Sequence, residues 1–193
     1  MATAPRRQTV PAGDPDAEHR RHVVSALVID RPGTLNRVSG LLRARSFNIE
    51  SLTVGTTHEP GRSRMTIVVR GDEGHLRQVL AQLERLIEVL EVGDLHGTPH
   101  LEIELALVEL DPPADRGAEA DLRATLASAG GELLPTTDGT WRARLTAAPE
   151  TIDRALEALG AQGLRRLVRA GAVAMTTTTT TDPTTSENGA SRA

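Results

Sequence analysis

The sequence predicts an α+β protein made of two consecutive ferredoxin-like βαββαβ modules, with a disordered tail at each end. Three observations lead there. Apolar residues switch between a period of about 2 and a period of about 3.6 in the order strand, helix, strand, strand, helix, strand. The same order recurs after a break at Gly97 to Pro99. Both termini lose the periodicity and become polar, rich in Pro or Thr.

The first element is "HVVSALVID" (22–30), apolar on both faces as a central strand is. Leu35, Val38, Leu41 and Leu42 then recur at helical spacing, with Arg37, Arg43 and Arg45 between them. "FNIESLTVGTT" (47–57) reads as the second strand, and "HEPGR" reverses the chain through Pro60 and Gly61. In the third strand Met65, Ile67 and Val69 alternate with Arg64, Thr66 and Val68. Leu76, Val79, Leu80, Leu83 and Ile87 mark a second helix, and "VLEVGDL" closes the module as a short strand.

The second module opens with "HLEIELALVEL". Its Leu101, Ile103, Leu105 and Leu107 alternate against Glu102 and Glu104, which predicts a wet face on the glutamate side. A helix through Leu122 and Leu126 follows. "GELLP" and "TWRARLT" form a hairpin with Trp141, Ala143 and Leu145 facing in and Arg142 and Arg144 facing out. Ile152, Ala155, Leu156 and Leu159 give the last helix, and "LRRLVRAGAVAM" the last strand. The expected division is a disordered tail over 1–20, modules over 21–97 and 98–175, and a low-complexity tail over 176–193 whose first threonines extend the strand. Modules of roughly 75 residues are small for a self-sufficient core, so pairing with a second copy is expected.

Composition removes several function classes. The chain has no cysteine, which excludes disulfides, thiolate catalysis and Cys-based zinc sites. His96 and His100 are four apart, but Gly97 and Pro99 break the helix they would need to share, and no metal site is expected. The net charge of −4 argues against a nucleic-acid or anionic-membrane partner. Phe47 and Trp141 are the only aromatic residues, too few for base stacking. No apolar run approaches the roughly 20 residues of a membrane span, and the N-terminus lacks the apolar stretch of a secretory signal, so a cytoplasmic location is expected.

One junction carries chemistry. At "DRPG" a strand hands over to a helix, whose first turn exposes unpartnered amides and partial positive charge, a seat for a carboxylate. Gly33 has no Cβ to obstruct approach, Asp30 offers acceptors to an ammonium group, and the Asn48 amide both donates and accepts. Together they suit the zwitterion of an α-amino acid. By spacing alone the same residues also read as a plain Pro-Gly turn and a strand-end Asn, and both readings stand at that point.

"DRPGTLNRVSGLLRARSFNIESLTVG", "SRMTIVVRGDE" and "QLERLIEVLEVGDL" resemble the regulatory (small) subunit family of acetolactate synthase, also called acetohydroxyacid synthase. The resemblance is dense from about residue 22 to 98 and looser to about 175. It implies an ACT domain over 21–97 that binds an amino-acid effector, and an ACT-like domain over 98–175 that contacts the catalytic subunit. It further implies a chain without catalytic residues or cofactors of its own. The large subunit would hold thiamine diphosphate, Mg and FAD. The small subunit would activate it and confer feedback inhibition by valine or another branched-chain amino acid in isoleucine, leucine and valine biosynthesis. In the family the effector lies between two ACT modules of a homodimer. Carried over, Asp30, Gly33, Thr34 and Leu35 stand on one side of it and Asn48 and Ile49, from the other chain, on the opposite side. The sequence departs from the family at Ile103 and Glu109, where basic residues are common.

Three other readings compete with this one. A stand-alone ACT-type amino-acid sensor coupled to another enzyme or regulator is weakened by the absence of a second recognisable domain. An RNA-binding module of the same strand order would need sheet aromatics, which "SRMTIVVRG" does not supply. An enzyme would need a nucleophile–base or carboxylate constellation, and no spacing provides one.

Overall fold

The computed structural model describes residues 20–44, 48–137 and 139–177. The terminal segments expected to be disordered, and the start of the second strand at Phe47, fall outside the described residues except for Arg20, Thr176 and Thr177. The first half runs β1 (Arg21–Ile29), α1 (Thr34–Ala44), β2 (Asn48–Thr56), β3 (Arg62–Arg70), α2 (Glu73–Leu83) and β4 (Val89–Asp94). The second runs β5 (His100–Leu110), α3 (Arg116–Ser128), β6 (Glu132–Leu134), β7 (Trp141–Ala147), α4 (Pro149–Ala161) and β8 (Leu164–Thr176). Two four-stranded antiparallel sheets result, ordered β2-β3-β1-β4 and β6-β7-β5-β8. This is the tandem ferredoxin-like α+β fold that the periodicity predicts, and β8 does extend into the first threonine of the tail.

Each sheet is covered on one face by its own helices. Val24, Ala26, Val28, Met65, Ile67 and Val69 of the first sheet pack against Val38 and Leu42 of α1 and Leu76, Val79 and Leu83 of α2. Ala106, Val108, Leu110, Ala143 and Leu145 play the same part against Leu122, Leu126, Ile152, Ala155 and Leu159. Local chemistry starts the helices. Asp72 accepts from the His75 amide at 2.8 Å and Asp115 from the Ala118 amide at 2.8 Å, each satisfying an otherwise orphaned N–H. Helix α4 has Ala148 at its N-cap with no side-chain cap, and Pro149 begins it with a fixed φ.

Three expectations are corrected. The glutamate side of β5 is the inner one: Glu104 is 6% exposed while Leu101, Ile103, Leu105 and Leu107 are 37–54% exposed. The physical reason is pairing. Arg169 grips Glu104 in a bidentate contact at 2.5 and 2.6 Å, and Arg21 does the same for Glu102, so both carboxylates go inside compensated. Leu35 lies on the solvent side of α1 at 43% exposed, since Thr34, Val38 and Leu42 take the inner positions. Ile87 is 82% exposed because α2 stops at Leu83 and the chain then turns before β4.

The two sheets are not independent. The first sheet's other face, away from its helices, carries Val23, Ser51, Thr53, Thr66 and Val68 by register, and β8 crosses it. Thr53 Oγ1 donates to the Ala170 carbonyl at 3.4 Å, and the Ala174 amide donates to Thr66 Oγ1 at 3.3 Å. Thr66, Val68 and Ala172 are 2–3% exposed there. The second sheet reaches across the join between modules and closes the first.

Candidate functional site

The junction after β1 is a folded turn with its backbone spoken for on one side. Ile29 N donates to the Glu88 carbonyl and Asp30 N to the Gly61 carbonyl, each at 2.8 Å, which fixes where the strand ends. Gly33 then takes φ +91°, the left-handed region in which a side chain is strained, and immediately precedes α1. A Cβ built on Gly33 would meet nothing within 4 Å, so the space over the helix start is open.

Thr34 does not cap the helix. It is 4% exposed, and its Oγ1 turns back to donate to the Ile29 carbonyl at 3.1 Å. Thr34 N donates to the Arg31 carbonyl at 3.2 Å and Arg37 N to Gly33 at 3.0 Å. Glycine itself offers no capping side-chain oxygen to the first-turn amides of α1. The first turn carries no acidic residue, so nothing in it repels an incoming carboxylate. Arg37 Nη1 donates to Glu88 Oε1 at 2.5 Å, fastening α1 to the residue before β4. Asp30 is exposed beside this turn.

Asn48 and Ile49 are elsewhere. Asn48 pairs in register with Arg70, which pairs with Arg21, at the start of β1. The turn lies beyond Ile29, at the far end of that nine-residue strand, about 26 Å away at roughly 3.3 Å per residue. The structure therefore gathers Asp30, Gly33, Thr34 and Leu35 at one end of the sheet and places Asn48 and Ile49 at the other. Asn48 is exposed, Ile49 half-buried against the core, and Glu50 forms a bulge in β2 that is held by Arg70.

Two cavities flank the crossing of β8. One of about 550 Å³ is lined by Arg21, Arg70, Glu104, Pro149, Asp153 and Arg169. The other, of about 590 Å³, is lined by Leu27, His58, Arg64, Glu91, Leu95 and Met175. Neither is bordered by Asp30, Gly33 or Asn48. In the first cavity the guanidinium groups of Arg21, Arg70 and Arg169 already have carboxylate partners in Glu102, Glu50, and Glu104 with Asp153. Hydrogen bonds to Glu104 push the Arg169 guanidinium further above the ordinary arginine value, so Arg169 stays a cation beside Glu104 and Asp153.

Sequence reasoning missed the residues of the β8 crossing, Ser51, Thr53, Thr66 and Gly171. Their contacts join positions more than a hundred residues apart, and small polar residues in a strand carry no local signal of such a partner. Among the described residues no helix is long and apolar enough to cross a membrane.

Comparison with known proteins bears on both modules. Residues 24–91 match the model of the AHAS small subunit-like ACT domain. The acetolactate synthase small subunit of Aquifex aeolicus is 38% identical over 81% of this chain and 81% of its own length. The probable acetolactate synthase small subunit of Methanothermobacter thermautotrophicus is 37% identical over 83% of this chain and 95% of its own. The crystal structure of the acetolactate synthase small subunit from Thermotoga maritima superposes with a TM-score of 0.70 at 30% identity, covering 81% of this chain and 97% of that one. With identity at this level spread over both modules, the chain belongs to the family of acetolactate synthase small subunits.

Proposed function

We propose that this chain activates the thiamine-diphosphate-dependent large subunit of an acetolactate synthase and makes it sensitive to feedback by a branched-chain amino acid, with valine as the effector. It has no catalytic role of its own, and the thiamine diphosphate, Mg and FAD of the reaction belong to the large subunit. The observation that carries the effector site is the open, uncapped start of α1 at Gly33, together with its separation from Asn48.

That separation is what a site made by two chains requires. β2 is an edge strand, and its outer amides and carbonyls are a template for another strand. Antiparallel pairing of β2 with β2 of a second copy sets Asn48 of one protomer against the Thr56 end of its partner. Thr56 pairs with Ser63, and Ser63 with Val28, one residue from the end of β1. The Asn48 and Ile49 of one chain thus reach the Asp30–Leu35 turn of the other. The effector carboxylate sits on the first-turn amides, its ammonium group faces Asp30, and the Asn48 amide spans both. Leu35, exposed in the single chain, and Ile49 supply apolar surface for a branched side chain.

The second module contacts the large subunit. Its support is the outward row Leu101, Ile103, Leu105 and Leu107 with Val168, Val173 and Met175, an exposed apolar strip of the kind that marks protein interfaces. Feedback follows from linkage: an effector that binds one dimer arrangement more tightly biases the partner enzyme by that difference, typically about 1–3 kcal/mol.

The test is reconstitution with an acetolactate synthase large subunit, with calorimetric titration of the purified chain by valine, leucine and isoleucine. A rise in acetolactate formation on adding the chain, reversed by the amino acid that binds it, is the expected result. No rise in rate and no binding of any of the three would overturn the reading.

A further inference from the structure

β8 meets β2 where both strands are bulged. In β2 the register shifts between Ile49 and Ser51, around Glu50. In β8 it shifts opposite Leu105: Glu104 pairs with Ala172 and Ala106 with Arg169, so Ala170 and Gly171 share one partner position. Gly171 holds φ +80°, and a Cβ there would lie 3.0 Å from Ser51 Cβ and 3.1 Å from Thr53 Oγ1. Two independent constraints therefore favour glycine, the left-handed backbone and the tight approach. Asn48 lies opposite Arg70 and Ser51 opposite Val68, so the effector amide and the Gly171 seat occupy one face of one strand, separated by the Glu50 bulge.

We propose that Ser51, Thr53 and Gly171 are positioning residues that couple effector binding to the second module, with β8 following any shift in β2. This rests on the effector reading above and adds the route by which occupancy is felt. A ligand that draws Asn48 and Ile49 toward the partner's turn moves the N-terminal end of β2, and the strand's next fixed point is the groove holding Gly171. β8 is also hydrogen-bonded along β5, whose reverse side bears the outward apolar row. A displacement at Gly171 thereby reaches the surface assigned to the large subunit.

The experiment uses the full chain with its large subunit, as Gly171→Ala, as Thr53→Val, which keeps the side chain's shape while removing the bond to Ala170, and as Gly171→Ala with Ser51→Gly. Calorimetry gives valine affinity, rate assays give activation and inhibition, and amide hydrogen exchange reports on residues 170–176 with and without valine. In the unaltered chain valine changes exchange in that stretch. In Gly171→Ala and Thr53→Val, valine affinity stays within about threefold, whereas inhibition at saturating valine is reduced and the exchange response shrinks. Typical coupling is about 5–150-fold, so its loss is readily read. Removing the Ser51 Cβ makes room and restores part of the inhibition. Valine that still binds and inhibits the two single variants as it does the unaltered chain, with the same exchange response, overturns the coupling. Absence of valine binding to the unaltered chain overturns the effector site itself, and the coupling with it.

Discussion

At the scale of single residues, Gly33 and Asn48 do different work. Gly33 leaves the helix start open, and Asp is among the few residues that tolerate its left-handed backbone. Gly33→Asp meets open space but strains that backbone, so its fold is checked by Tm, and it sets a carboxylate over the amides that would receive the effector's own. Valine binding by this variant is expected to vanish in calorimetry, with activation of the large subunit kept. On the proposed site, Asn48→Ala removes hydrogen bonds to a charged ligand worth about 1.5–3 kcal/mol, so valine affinity is expected to fall by roughly 10–150-fold. Normal valine inhibition in either variant holoenzyme would remove these residues from the site. Glu104 is a structural counterpart: Glu104→Ala leaves Arg169 with Asp153 alone. The same charge-assisted bonds predict a loss of about 2 kcal/mol, read as a fall in Tm of about 4–8 °C. The residue types at "DRPG" and "NIE" were legible in the sequence, because turn chemistry and amide chemistry are local. Their placement about 26 Å apart was not, since it depends on which strands pair.

At the scale of elements, the periodicities of 2 and 3.6 located the strands and helices, with α2 ending earlier than Ile87 suggested. β5 shows where pattern reading fails. Alternation says that two faces differ, not which one is inside. Glutamates read as wet unless their arginines are known, and Arg21 and Arg169 lie 81 and 65 positions from Glu102 and Glu104. The same strand yields a pair of contrasting predictions. Leu105→Glu, on the outward row, leaves the unfolding temperature within about 2 °C, as surface changes do, yet weakens co-purification with the large subunit. Leu145→Ala, on β7 and fully buried, costs about 2–5 kcal/mol in denaturant unfolding. Unchanged co-purification of Leu105→Glu would remove the row from the interface.

At the scale of the whole molecule, the second module acts as a cover for the first. Val68 and Thr66 are buried because β8 lies across them, and the Arg21–Glu102 ion pair ties β1 to β5 beside that crossing. Two modules that share buried surface should unfold together. Calorimetry is expected to show one transition whose van't Hoff and calorimetric enthalpies agree. Two separate transitions would mean that the crossing contributes little. The small size of each repeat pointed to a missing cover, but the sequence reading sought it in a second copy rather than in the neighbouring module. The clue that could have suggested it is Gly171 inside an otherwise regular strand, a position where a glycine marks a bulge or a close neighbour.

The outward row on β5 also bears on how the chain must be supplied. Surplus copies, made faster than their large companion, would display greasy strips and bare strand borders to one another, the ingredients of clumping. On the proposed interface, production of the two polypeptides in step would keep that strip covered.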